Sequence, residues 1–206
     1  MNKDLFINCP FSDDYWPLFQ GVIFISIYCG FFPRCALEAD DSSSNRFEKI
    51  CDLIGQCDFG FHDISKVELD GKSKLPRFNM PLELGLFLAA KKFGNKRQRQ
   101  KSCVIFDSEL YRYQKFISDI SGQDIHAHHG KLAVMIDELT KWFQGAANDH
   151  RIPGGKQAYA KYKEFKSVLP KLAKAVHKRP TELTFFTHRE FAVNWIKEDL
   201  ELSAQT

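Results

Sequence analysis

Short apolar segments alternate with helical segments along the first two thirds of this chain, and this alternation restricts the fold more than any other feature. The apolar segments are β-prone and end at turn or polar residues, whereas the segments between them carry apolar residues at helical spacing. We expect strands at residues 5–9, 31–37, 59–64, 102–106 and 124–128. We expect helices at residues 15–29, 46–57, 78–92, 110–120 and 132–143. This order predicts a doubly wound α/β fold, in which helices cover both faces of a mainly parallel five-stranded sheet.

The segment NDHRIPGG, residues 148–155, separates this alternating region from two further amphipathic segments. Its proline and glycines are typical of a linker. We expect helices at residues 156–177 and 187–200 beyond it. The chain therefore divides into an α/β domain at residues 1–147 and a linker with a C-terminal helical extension at residues 148–206. The sequence leaves open whether this extension packs on the core or on another subunit.

Composition excludes several classes of protein. A net charge of +3 on 206 residues does not indicate a nucleic-acid partner. The longest apolar run, residues 21–32, is too short to span a bilayer, and the first residues do not resemble a secretory signal. The six cysteines include no C-x-x-C pair, which argues against a zinc site and favours reduced, buried thiols. We therefore expect a cytoplasmic protein with no membrane partner, no metal site and no bound prosthetic group.

Polar and turn residues follow the predicted strands at the edge where open parallel sheets bind their ligands. In such sheets the ligand lies outside the carboxyl ends of the strands, at the point where the strand order reverses. The residues concerned follow the first and third strands: Asn8, Cys9, Pro10 and Phe11, then Asp63 and Ser65. We expect these side chains to lie near one cleft.

One carboxylate, Glu83, lies within the otherwise apolar helical segment FNMPLELGLFLAAKK. We expect Asn79 to cap this helix, which places Glu83 near the first turn, where the helix dipole favours an ionised carboxylate. Glu83 then either serves a ligand or forms a structural ion pair with an arginine. The candidate partners are Arg34, Arg46 and Arg77. Spacing alone does not decide between these two interpretations.

Arg46 begins a predicted helix directly after a run of serines and one asparagine. Backbone N–H groups at a helix start, together with a guanidinium, can hold a phosphate. The alternative is a surface ion pair between Arg46 and Glu38 or Asp41. The sequence leaves both open.

Three motifs, FINCPFSDDY, HDIS and NMPLELG, resemble the Toll/interleukin-1 receptor (TIR) superfamily and its neighbour, the nucleoside 2-deoxyribosyltransferase-like fold. The similarity covers about residues 4–145 and is greatest to small bacterial TIR-like proteins. It implies a flavodoxin-like or TIR-like strand order and a catalytic glutamate, directed at a ribose, in the helix after the third strand. That position is Glu83, which Leu84-Gly85 follow as in the transferases.

The resemblance also implies roles for the residues around Glu83. The loop residues Asn8, Pro10 and Phe11 would line the nucleotide site. From their own positions at a strand end and at helix starts, we also expect Cys9, Arg46 and Asn79 to bind the ligand. Asp63 and Ser65 would flank the ribose. The chain departs from the common TIR pattern just ahead of the glutamate, where many members have Trp-Cys and this chain has residues 79–82, NMPL.

The function implied is cleavage of the N-glycosidic bond of NAD, by hydrolysis or cyclisation, in a bacterial antiphage-defence effector or signalling component activated by assembly. Such bond cleavage generates an oxocarbenium-like ribose, which an adjacent carboxylate stabilises or attacks. NAD would be the substrate, and the partners a nucleotide ligand and either further copies of the chain or a defence protein. Two alternatives remain: a non-catalytic nucleotide-sensing or scaffolding module, and an enzyme like the nucleoside deoxyribosyltransferases.

Overall fold

Five parallel strands form one sheet in the order β2-β1-β3-β4-β5. The computed structural model describes residues 3–38, 42–67, 69 and 75–203. The strands are β1 (Asp4–Asn8), β2 (Phe32–Cys35), β3 (Phe59–Asp63), β4 (Ser102–Asp107) and β5 (Ile125–Ala127). The predicted doubly wound α/β class is confirmed. The strand order reverses between β1 and β3, so the loops after these two strands diverge and leave a crevice at the carboxyl edge of the sheet.

The described ranges contain six α-helices, four of them against the faces of the sheet and two packed outside these. They are α1 (Trp16–Tyr28), α2 (Arg46–Gln56), α3 (Asn79–Phe93), α4 (Leu132–Ala147), α5 (Gly155–Ala175) and α6 (Phe185–Ser203). Successive side chains of a strand point to opposite faces. Leu5 and Ile7 of β1 accordingly pack with α1 and α4, whereas Phe6 packs with α2 and α3. No helix in the described ranges has both the length and the apolar character needed to cross a bilayer.

The predicted helix at residues 110–120 is wrong. Two short 3-10 turns, Arg112–Lys115 and Ser118–Ile120, occupy the segment. Tyr111 takes a left-handed conformation, with φ of 59°, which breaks a continuous right-handed helix. Arg112 then turns towards the sheet, where its Nε donates to the Asp107 Oδ1 at 2.9 Å and its Nη2 to the Ser65 carbonyl at 2.6 Å. These charge-assisted hydrogen bonds outweigh the apolar periodicity of the segment.

The C-terminal helices pack on the core of the same chain. Helix α1 is buried throughout Leu18–Ser26, because the sheet covers one side of it and α5 and α6 cover the other. Phe24 of α1 stacks on Phe165 of α5, with ring centroids 4.9 Å apart, and lies 5.7 Å from Trp195 of α6. An aromatic interface of this kind buries a large apolar area. Helices α5 and α6 thus share one hydrophobic cluster with the α/β region.

Arg189 connects α6 to the edge strand β2. Its Nη1 donates to the Pro33 carbonyl at 3.0 Å and also forms an ion pair with Glu38. The guanidinium lies over the ring of Phe32, 4.6 Å from its centroid. The same Glu38 accepts a hydrogen bond of 2.5 Å from the Arg34 Nε. One carboxylate therefore holds two arginines, one on β2 and one on α6.

His188 of α6 is fully buried against Phe165, and neither ring nitrogen has a hydrogen-bond partner among the described residues. Burial lowers the pKa of His188 from 6.5 to about 3, so the folded protein holds the imidazole neutral. The unfolded chain binds a proton below pH 6.5, and the folded chain does not until about pH 3. The contribution of neutral His188 to the free energy of unfolding is therefore fully present above pH 6.5. It is lost progressively as the pH falls from 6.5 towards 3.

We expect replacement of His188 by Leu to reduce this acid sensitivity. At pH 5 a histidine with these two pKa values costs about 2 kcal/mol of stability, and an apolar side chain removes that cost. The measurement is the free energy of unfolding in urea at pH 7 and pH 5, with His150→Leu at an exposed site as the matched control. An equal loss between the two pH values in wild type and His188→Leu would contradict the prediction.

Candidate functional site

A cavity of about 420 Å³ opens at the carboxyl edge of the sheet, at the crevice between the loops after β1 and β3. This volume lies within the range of small-molecule sites. Its wall is formed by the loop after β1, the first residues of α2 and α3, and residues that follow β3. Seven of the nine residues predicted for the site line it: Asn8, Cys9, Pro10, Phe11, Arg46, Asn79 and Glu83. Asp63 and Ser65 are not in this wall.

Glu83 lines the cavity, and no residue in the described part of the chain forms an ion pair with it. Within the described ranges no hydrogen bond or ion pair reaches its carboxyl group, and its side chain is half-buried. Burial raises the pKa of Glu83 from 4.5 to about 7, and the positive charge of Arg46 opposes this rise. Arg34, one of the predicted partners, is instead engaged by Glu38. The carboxyl group is therefore available to a ligand and titrates near neutral pH.

The start of α3 differs from the prediction. Phe78 occupies the N-cap position with no side-chain cap, and Asn79 is the first residue of the helix. Glu83 consequently lies in the second turn, beyond the reach of the first-turn N–H groups. This position explains why the helix dipole does not keep its carboxyl group ionised against the effect of burial.

The side chain of Asn8 joins the three elements that position Glu83. Its Nδ2 donates to the Met80 carbonyl at 2.8 Å, at the start of α3, and to the His62 Nδ1 of β3 at 3.0 Å. An amide nitrogen only donates, so Nδ1 of His62 accepts and the ring proton is on Nε2. Burial lowers the pKa of His62 to about 3, which keeps the imidazole neutral and this hydrogen bond intact. Asn8 is thus a positioning residue for the glutamate helix.

Cys9 lines the cavity as a thiol. Its side chain is buried, and burial together with the nearby Asp63 carboxylate raises its pKa well above the usual value. Because the thiolate is the nucleophilic form of cysteine, this burial disfavours Cys9 as a nucleophile. All six cysteines are free.

Asp63 lies in the protein interior, and Ser65 lines a neighbouring cavity. Asp63 is fully buried, and its two carboxyl oxygens accept from the Tyr15 hydroxyl at 2.5 Å and the Ser65 backbone N–H at 2.8 Å. The Nε2 of His128 lies 3.2 Å from the same carboxylate. A carboxylate held by these groups cannot turn towards a ribose beside Glu83. Ser65 instead lines a second cavity.

Arg46 contributes its guanidinium, and not the helix start, to the cavity. The Asn45 side chain caps α2 by accepting from the backbone N–H groups of Phe47 at 2.8 Å and Glu48 at 3.4 Å. These two N–H groups of the first turn are therefore already satisfied by the cap and are not free for a phosphate. The alternative pairing with Glu38 is not observed, because Arg34 and Arg189 bind that carboxylate. Asp41, the other proposed partner, lies outside the described residues.

The cavity wall also contains residues that the sequence reasoning did not assign to the site. They are Ser12, Asp14, Lys66, Leu69, Arg77 and Met80. Asp14 forms an ion pair with Lys66, and hydrogen bonds from Lys66 and Ser12 lower the pKa of Asp14 to about 2. The sequence does contain a pattern that predicts this pair. Asp14 and Lys66 follow neighbouring parallel strands, and the loops after such strands meet at one edge of the sheet.

Comparisons of this chain with protein-family models, with curated proteins and with solved structures found no match. Among the described residues, no group of three His, Cys, Asp or Glu side chains is arranged to hold a metal ion.

We expect Asn8→Ala to destabilise the protein by about 1–3 kcal/mol, because the substitution leaves a buried imidazole acceptor without its donor. The free energy of unfolding in urea at pH 7 measures this loss. The matched control is Asn194→Ala at an exposed position of α6, which should change stability by less than about 0.5 kcal/mol. Equal stability of Asn8→Ala and wild type would show that the amide bridge does not fix the start of α3.

Proposed function

We propose that this chain is a TIR-like enzyme that cleaves the N-glycosidic bond between nicotinamide and ribose in NAD. The observation that supports this most strongly is Glu83, a half-buried carboxyl group on a cavity wall that no described cation neutralises by direct contact. A structural carboxylate of the same burial would be expected to have an ionic partner. The resemblance of residues 4–145 to the TIR superfamily assigns the catalytic glutamate to the same position.

The reaction requires few groups from the protein. Nicotinamide in NAD is bound to ribose as a cation, so breaking the C–N bond releases it neutral, with the bonding electrons, and leaves positive charge on the ribose. Ionised Glu83 would stabilise that charge or form a bond to the anomeric carbon. Water then adds at that carbon and loses a proton, which gives ADP-ribose; attack by a group of the same molecule gives a cyclic product. No general acid is needed for the leaving group.

The charges at the cavity support a phosphate-bearing ligand. The guanidiniums of Arg46 and Arg77 are exposed at the wall, and no described acidic residue pairs with either. Arginine binds phosphate with two parallel hydrogen bonds. A nucleotide would therefore be favoured over an uncharged nucleoside.

Activation by assembly and a role in antiphage defence are part of the same proposal and rest on the resemblance alone. The alternative is a non-catalytic module that binds a nucleotide in this cavity without cleaving it. Measuring both NAD binding and nicotinamide release distinguishes this module from the enzyme.

We expect Glu83→Gln to abolish nicotinamide release from NAD, because the amide keeps the shape of the side chain but cannot ionise. Release is measured by chromatography of the reaction mixture, at low protein concentration and at high concentration with a crowding agent to promote assembly. The matched control, Glu190→Gln at an exposed site of α6, should retain wild-type activity. Undiminished release in Glu83→Gln would refute the catalytic role. Binding of NAD without release by the wild type under all conditions would favour the non-catalytic module.

We expect the rate to rise about tenfold between pH 6 and pH 8, because ionised Glu83 is the active form and burial places its pKa at about 7. The positive charge of Arg46 lowers that pKa, so Arg46→Gln should move the midpoint of the pH–rate profile to higher pH. The control is Arg99→Gln, an exposed arginine outside the cavity wall, which should leave the midpoint unchanged. A midpoint that does not move in Arg46→Gln would mean that the profile reports another group.

A further inference from the structure

A second cavity, of about 470 Å³, lies beside the first along the carboxyl edge of the sheet. The first cavity is built on the loops after β1 and β3 and on the starts of α2 and α3. The second is built on residues that follow β3, β4 and β5, including Ser65, Ser108 and His128, together with the start of α1. The two cavities therefore lie side by side over neighbouring strands.

Asp14 and Lys66 line both cavities. The ion pair that they form therefore lies at the border between the first cavity and the second. The two residues come from the loops on either side of the point where the strand order reverses. Their side chains are 60% and 42% exposed. An ion pair this exposed contributes little to stability, so Lys66 can exchange Asp14 for an anionic ligand at small cost.

The second cavity suits an uncharged, flat group. Its wall includes the apolar side chains of Leu18 and Leu132 and the rings of Tyr15 and His128. The Tyr15 hydroxyl donates to Asp63, and the His128 Nδ1 accepts from the Gly130 N–H at 2.9 Å. The His128 Nε2 lies 3.2 Å from the Asp63 carboxylate. Cavities with a mainly apolar wall and few polar groups are typical of sites for heteroaromatic rings.

We infer that the ligand is a dinucleotide that occupies both cavities, with one nucleoside beside Glu83, the diphosphate at Lys66 and the second base in the cavity formed by Ser108, His128 and Leu132. This inference rests on the proposed function of the first cavity and extends it. A mononucleotide fills the first cavity alone, whereas NAD carries a second base, joined through a diphosphate, to the other side of the dividing ion pair.

The test compares NAD with nicotinamide mononucleotide, which lacks the second nucleoside, by calorimetric titration in the Glu83→Gln background so that neither ligand is consumed. Ser108→Trp fills the second cavity, and Ser108→Ala is the matched control that leaves it open. We expect Ser108→Trp to weaken NAD binding about tenfold or more and to change binding of the mononucleotide by less than about twofold. The unchanged mononucleotide affinity also shows that the variant is folded.

Lys66→Gln tests the inference independently of packing at Ser108. We expect it to weaken NAD binding in a salt-dependent way and to leave binding of nicotinamide riboside, which has no phosphate, unchanged. Lys197→Gln on the exposed face of α6 is the control. Equal affinities of each Ser108 variant for NAD, or parallel losses for NAD and the mononucleotide in a folded Ser108→Trp protein, would overturn the inference.

The two proposals fail in different ways. Release of nicotinamide by the wild type, with no selective effect of Ser108→Trp, removes the second subsite and leaves the enzymatic function intact. Selective loss of NAD binding in Ser108→Trp, without nicotinamide release by the wild type, retains the two-cavity ligand and removes the catalytic role of Glu83.

Discussion

Burial of the Glu83 carboxyl group, which no cation among the described residues contacts, is the constraint on which the candidate site depends. A direct ion pair with Arg34 would hold its pKa low and occupy both oxygens, but Arg34 is engaged by Glu38. Arg46 acts only through its more distant charge, and the pKa of Glu83 remains at about 7. Asn8 keeps the start of α3 in place, so the carboxyl group cannot relieve its burial by moving with the helix. The site thus combines a carboxyl group that titrates near pH 7 with a helix start that is held by the hydrogen bond from Asn8.

Much of this arrangement could be predicted from local patterns. The strands follow from short β-prone segments, and the residues after β1 and the glutamate of α3 follow from the rule that parallel strands present their carboxyl ends at one edge. Seven of the nine predicted residues lie on one cavity for that reason. The rule places a residue at an edge, but it does not say which way the side chain points. Asp63 is at the predicted edge, but its carboxylate is buried in the interior, where it accepts a hydrogen bond from the hydroxyl of Tyr15, the N-cap residue of α1.

Two further features that the sequence did not indicate, the 3-10 turns in residues 110–120 and the second cavity, depend on contacts between distant segments. The apolar spacing of residues 110–120 favours a helix, but the hydrogen bonds of Arg112 to Asp107 and Ser65 select 3-10 turns. The second cavity requires the loops after four strands, β1, β3, β4 and β5, and no single segment indicates it. Helix α1 likewise has apolar residues on all sides. It is buried on all sides because the sheet covers its inner face and α5 and α6 cover its outer face.

The attachment of Arg189 to the Pro33 carbonyl has a consequence for self-association. Strand β2 forms one border of the sheet, where proline supplies no N–H and the arginine occupies a carbonyl that an incoming strand would need. The opposite border, β5, is three residues long. Neither border offers a continuous template for the backbone of a second molecule. Copies of this chain that join into a larger particle would therefore meet through side chains on helices and loops, and the sheet would end within each copy.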